Sequence, residues 1–227
     1  MNRSARTQPD GQGMRLQPLT ETGAHQIEHW FDHPEVQNRL GDRSWIHRQL
    51  ELIGRRPGAV FRGAVVLRSH AWIGLDETGT PVAFICGDVY DRWVRYHGEG
   101  PEGPVLSDTD PRRAMGLAYL VAPSRRRQGH GRSALRTVLT HPATGDVETF
   151  FCGIDADNHA SRHCAESAGF TLPDPEPDHE GMLYYRSQRG YGLFEEAQPL
   201  WPLPGMAPHT PPGTSTDRDR PPLQSPR

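Results

Sequence analysis

Residues 125–139, RRRQGHGRSALRTVL, place two glycines one residue apart, behind three arginines and directly ahead of an apolar stripe of helical spacing. A strand, a tight glycine turn and a helix start together aim several backbone N–H groups at one spot. The positive end of the helix dipole lies there too, so the order makes an anion site. Gly129 and Gly131 remove the Cβ atoms that would hold a pyrophosphate away from the backbone. Arg126, Arg127 and Arg132 can add charge-assisted bonds. Two common nucleotide motifs do not fit. The phosphate loop needs a Gly-Lys pair and this chain has no lysine, while the dinucleotide fingerprint needs a third glycine where Ala134 stands.

The elements that must carry this turn are legible on both sides of it. AMGLAYLVAP (residues 114–123) is a near-continuous apolar run closed by Pro123, as a buried strand is, and Ala134, Leu135, Val138 and Leu139 form the stripe of the following helix. VETFFCGI reads as another buried strand. Asn158 opens a second helix, with Ala160, Cys164 and Ala168 on one face and Gly169 as its left-handed cap, and GMLYYRS supplies a last strand. Upstream, MRLQPLT reads as a first strand. Ile27, Trp30 and Phe31, then Val36 and Leu40, then Trp45, Ile46, Leu50 and Ile53 mark two or three short helices. GAVVLRS and AWIGL read as two strands, and TPVAFICGDVY follows after a DETG turn. Residues 91–113 carry several glycines and prolines without a period and read as an extended loop.

Composition bounds the rest. Only 34% of the 227 residues are apolar, low for a globule of that length, so the ends are expected to be disordered: residues 1–13 lack apolar periodicity and residues 191–227 are Pro-rich. The folded domain is expected over residues 14–190. No run of about 18 apolar residues occurs, so a cytoplasmic protein without a membrane partner is expected. A net charge of -3 argues against a dedicated nucleic-acid binder, and three cysteines inside apolar patterns suit reduced core residues. Oligomeric state, monomer or homodimer, is not set by any of these features.

The segment RRQGHG (Arg126 to Gly131), behind AYLVAPS, resembles the acetyl-CoA signature of the GCN5-related N-acetyltransferases. DADNHASRHCAESAGF (Asp155 to Phe170) is similar to their later strand-to-helix segment, in which Asn begins the helix and Gly-Phe ends it. The resemblance implies an α/β (α+β) fold: a central mixed, mostly antiparallel twisted sheet flanked by helices and splayed at the acetyl-CoA site. It implies acetyl-CoA as cosubstrate with no metal, and an amine as acceptor. Val121, Gln128, Gly129, His130 and Gly131 would hold the pantetheine and pyrophosphate, with Asn158 and Ser161 on the cofactor's arm; the alternative for Asn158 is a plain helix cap, and both roles can coexist.

Two departures bear on mechanism. Ala165 stands where many relatives carry a Tyr that protonates the thiolate, and Met115 where some carry a Glu base. Transfer would then rest on positioning an already nucleophilic amine against the thioester, with Asp88 as the remaining candidate base. HWFDHPEVQNRL resembles the opening of aminoglycoside 6-prime and ribosomal-protein alanine acetyltransferases, with Asp32, Glu35 and Asp42 there, and Glu99, Glu102, Asp108 and Asp110 on the 91–113 segment, available to attract a cationic amine. His25, His29 and His33, and His159 and His163, repeat every four residues without the Glu of a zinc-protease motif. Three functions follow: acetylation of a small cationic amine, acetylation of a protein N-terminus or side chain, and non-catalytic acyl-CoA binding.

Overall fold

The computed structural model describes residues 14–55 and 57–189; the two ends expected to be disordered lie outside the described residues. The chain runs β1 (Arg15–Pro18), α1 (Glu21–Ile27), a 3-10 turn over Glu28–Asp32, α2 (Pro34–Leu40), α3 (Ser44–Ile53), β2 (Val60–Phe61), β3 (Ala64–Leu75), β4 (Pro81–Tyr90), β5 (Trp93–Gly100), β6 (Gly103–Asp110), β7 (Ala114–Val121), α4 (His130–Thr140), β8 (Thr149–Asp155), α5 (His159–Ser167) and β9 (Met182–Gln188). The main sheet has the order β1-β3-β4-β7-β8-β9, with β2 turned back on β3, and only β7 and β8 run parallel. None of the described helices is long and apolar enough to cross a membrane.

Alternation along the strands builds two cores on the two faces of this sheet. Ile85 and Val89 of β4, Met115 and Leu117 of β7, and Phe150 and Cys152 of β8 turn toward Ala134, Leu135 and Val138 of α4 and Ala165 of α5. Their neighbours Ala71, Ile73, Phe84, Cys86 and Leu120 face the opposite way and meet Ile27, Phe31, Val36 and Ile46 from the N-terminal helices. Thr20 starts that helical layer by accepting the Gly23 N–H at 3.1 Å. The helices cover only part of their face. Farther along the same strands and on the same side, Ser69, Asp88, Gly116, Phe151 and Tyr184 lie beyond them, and β5 and β6 stand over that half instead.

Three expectations change. GAVVLRS and AWIGL form the single strand β3, because His70 continues the pleat between them. In α5, Ala160 is exposed while Ala165 and Ala168 are buried, so the packing face centres on Ala165 and leaves Ala160 outside it. Residues 91–113 are no loop: β5 and β6 pair antiparallel around Pro101 and Glu102. This hairpin buries little apolar surface, since β6 is exposed along nearly all its length, so no hydrophobic period marks it. Its ladder is supplemented by polar side chains: His97 with Ser107 at 2.5 Å and the Trp93 indole N–H donating to Asp108 at 3.1 Å. The legible signal was the GPEG turn.

Close approach of β4 and β7 sets one strict requirement. A Cβ on Gly87 would lie 2.1 Å from the Gly116 carbonyl oxygen, and backbone cannot yield as a side-chain tip does. Gly87→Ala is therefore expected to cost roughly 3 kcal/mol and to lower Tm by about 5–10 °C, measured by thermal unfolding. The control is Gly79→Asn, at a turn with φ +80° and nothing within 4 Å, which should change Tm by no more than a few degrees.

Candidate functional site

Strands β7 and β8 pair over only three positions, Ala114 with Thr149, Met115 with Phe150 and Gly116 with Phe151, and then part. Each keeps its outer partner, β4 for β7 and β9 for β8, so a gap opens inside an otherwise continuous sheet. The gap leads from Gly116 toward the turn after β7. There Pro123–Arg125 forms a 3-10 turn, Arg127 and Gly129 both take left-handed backbone, with φ +61° and +84°, and α4 begins. The first intrahelical bond runs from the Ser133 N–H to the Gly129 carbonyl at 3.0 Å, so the N–H groups of His130, Gly131 and Arg132 precede it.

The residues expected around a cofactor come together at this gap. Val121 ends β7 with its side chain against Gly131: a Cβ there would lie 3.3 Å from Val121 Cγ2 and 2.7 Å from the Cys164 Sγ of α5. Gly131 thus has a packing use as well, since it lets α4 and α5 converge. Gln128, Gly129 and Arg132 are exposed at the turn, and so is Arg127. Arg126 is already paired with Glu35 of α2. His130 is half-buried, its Nε2 has no hydrogen-bond partner among the described residues, and burial lowers its pKa. Asn158 is the cap of α5, its Oδ1 accepting the Ser161 N–H at 3.2 Å. Arg39 of α2 bonds Asp155 at 2.9 Å and Asp157 at 2.8 Å, so one short helix is tied to both sides of the gap.

Asp88 lies on the other side of the sheet from α4 and α5, directly opposite Gly116 in the β4–β7 ladder. It is half-buried inside a strand rather than at a solvated strand end, and it accepts the Ser69 hydroxyl at 2.5 Å. The Tyr90 phenol is pushed up by burial and then by the neighbouring Asp88 carboxylate. Ser69 and Tyr90 could have been found from the period of two that places them on Asp88's face. Tyr119 was also missed. Its hydroxyl donates to the Ser161 carbonyl at 2.9 Å, and its ring lies along the α4 side of the gap, where burial pushes the phenol up.

Several expected attractants for a cation are already engaged. Asp32 bonds Arg43, Asp42 accepts the Ser44 N–H at 2.9 Å, Glu99 accepts the Tyr96 hydroxyl at 3.0 Å, Asp108 takes Arg186 and the Trp93 indole, and Asp110 holds Arg112. Among the histidines, the repeat of His25, His29 and His33 is broken by the 3-10 turn over Glu28–Asp32. His25 instead joins His47 around Glu28, whose carboxyl is held below the usual range by His47 first and His25 second.

The model of the acetyltransferase (GNAT) family matches residues 25–170. A protein of Bacillus subtilis (strain 168) described as the uncharacterized N-acetyltransferase YfmK is 26% identical over 170 residues, 74% of this chain and 93% of its own. The fold is shared with the aminoglycoside acetyltransferase AAC(6')-Ib solved with coenzyme A, at 18% identity and TM-score 0.55 over 78% of this chain and 95% of that one. It is also shared with the GNAT domain of S. lividans PAT, at 13% identity and TM-score 0.51 over 77% and 90%.

The convergence of α4 and α5 gives a test of its own. Gly131→Val is expected to destabilise the fold by roughly 2 kcal/mol, because Cys164 must move to admit it. Adding Cys164→Ala to that variant should recover a substantial part of the loss in thermal unfolding. A Gly131→Val protein as stable as the parent would mean that the two helices are not held at this spacing.

Proposed function

Because the chain belongs to the acetyltransferase (GNAT) family, we propose that it transfers the acetyl group of acetyl-CoA directly to the primary amine of a small cationic molecule. The observation that carries this reading is the gap between β7 and β8 ending at an uncapped helix start with Gly129 in left-handed conformation. An extended, amide-bearing arm fits between two strands that have lost each other, and a diphosphate fits a helix N-terminus. On this reading Val121 and Gly131 line the arm's path and Asn158 and Ser161 border it. The N–H groups of His130, Gly131 and Arg132 receive the diphosphate, with Arg126, Arg127 and Gln128 around it.

The acceptor enters from the Asp88 side of the sheet. Its ammonium gives a proton to the Asp88 carboxylate, the nitrogen lone pair attacks the thioester carbonyl, the C–S bond breaks as the C–N bond forms, and the departing thiolate takes the second proton shed by the nitrogen as it becomes an amide. Ser69 orients Asp88 through its hydroxyl. Ala165 is fully buried among core side chains, so α5 supplies no proton donor at that position.

Two tests follow. Gly129→Val places a branched side chain at a residue with φ +84°, whose added Cβ would meet nothing closer than Arg132 Nη2 at 3.9 Å. Acetyl-CoA affinity by calorimetry should fall at least about tenfold, or about 1.4 kcal/mol. Unchanged affinity in the folded variant would sink the cofactor assignment.

Turnover is followed as thiol release from acetyl-CoA against an amine panel; in Asp88→Asn what turnover is left should climb with pH toward the acceptor's own pKa, because without the base only an amine that arrives neutral has a lone pair to offer. Asp88→Asn should lower kcat about a thousandfold with acetyl-CoA binding intact. A loss under tenfold would leave transfer to positioning alone, and no thiol release with any amine would favour a binding module.

A further inference from the structure

The uncovered half of the sheet face that carries Asp88 and Gly116 holds a small, half-open cleft of about 70 Å³. Its walls are rings. Trp93 meets Phe151 edge-on at 4.6 Å and Tyr184 at 5.8 Å, and Phe61 stacks toward Tyr90 at 6.4 Å. The lining is closed by Tyr96 and by the guanidinium of Arg62, which sits 5.3 Å from both the Phe61 and Tyr96 rings. None of the described residues lining it is acidic.

Two observations connect this cleft to the reacting centre. Phe151 is the last residue of β8 paired to β7, and its ring covers Gly116 so closely that a Cβ there would lie 2.7 Å from the ring edge. Tyr90, whose ring lies 6.1 Å from that of Phe151, has the Asp88 carboxylate as its neighbour. An amine held between Asp88 and the point where the strands part therefore has its carbon skeleton directed among these rings.

Arg62 is placed there at a cost. The β2–β3 connection is a two-residue turn in which Arg62 and Gly63 both have positive φ, +49° and +81°. Asn-Gly is the favoured pair for such a turn, and a long side chain in that backbone is disfavoured. The guanidinium is then fixed by the Tyr184 hydroxyl at 3.2 Å and by Glu180, while Leu106 of the β5–β6 hairpin packs on Gly63. A guanidinium fixed over aromatic walls accepts a flat ring by stacking, and the lining offers no carboxylate to a second ammonium group.

Resting on the acetyl-transfer reading above, we propose that this cleft selects the acceptor, an amine carrying one positive charge on a short linker to an aromatic ring. Polyhydroxylated polycations are excluded. The charge that makes the acceptor cationic is its reacting amine alone.

The test uses the full chain with three acceptors: 2-phenylethylamine, n-propylamine and kanamycin. Expected is a kcat/KM for 2-phenylethylamine at least about thirtyfold above both others. Phe61→Ala and Tyr96→Ala should each reduce the phenylethylamine-to-propylamine ratio about tenfold, with acetyl-CoA affinity as the control for folding. Kanamycin or propylamine matching the aromatic amine, or a ratio unmoved by both substitutions, would overturn the cleft assignment while leaving acetyl transfer standing. Should no amine turn over, calorimetric titration of 2-phenylethylamine still decides: binding that is lost in Tyr96→Ala supports the cleft, and absence of binding to the parent chain overturns it.

Discussion

Everything at this site depends on the parting of β7 and β8 after their third residue pair. A sheet closes its gaps by default, because each open N–H and C=O seeks a partner. Here closure is opposed at both ends of the gap. At its root, Gly87, Gly116 and the Phe151 ring are packed without room for a single added methyl group. Toward the turn, α4 and α5 converge at Gly131 and Cys164 on one side of the sheet and brace the diverging strands. Since β4 and β9 keep their outer ladders, only the inner bonds are given up, and on the proposed reading the amides of the cosubstrate's arm replace them.

Charge pairs set the mouth of the gap rather than the stability of the fold. Arg126 with Glu35, and Arg39 with Asp155 and Asp157, hold α2 across from the glycine turn and the start of α5. Such exposed pairs are worth at most about 1 kcal/mol each. They can nevertheless orient a helix of seven residues that has few other anchors, Val36 being its one fully buried side chain. With 25 arginines and no lysine in the chain, each of these pairs at the mouth is made by a planar guanidinium, which fixes direction as well as distance.

The sequence announced the cofactor half of the site far better than the acceptor half, and the reason is physical. Gly129 and Gly131 precede an apolar stripe, so local order alone places N–H groups at a helix start; no tertiary knowledge is needed. The strand pattern likewise gave β4, β7 and β8, whose buried residues run nearly unbroken. Asp88 was found only by elimination, since its bond to Ser69 links positions far apart in the chain. The aromatic cleft was illegible because it draws Phe61, Trp93, Phe151 and Tyr184 from four strands, and because the β5–β6 hairpin lacks an apolar face of its own. The carboxylates expected to draw a cation were visible as residues, but their arginine partners were not.

The division of labour between the two sides of the sheet rests on a period of two. Val89 and Met115 face the sealed core beneath α4 and α5, and the very next positions, Asp88 and Gly116, face the open half. A one-residue slip of β4 against β7 would bury Asp88 and expose Val89, a loss of both core and chemistry. The slip is blocked where it would do the damage, because only glycine fits at position 87 against the Gly116 carbonyl. The same close approach that fixes the register therefore fixes which carboxylate faces the gap, so the placement of the candidate base follows from backbone packing rather than from any contact the carboxylate itself makes.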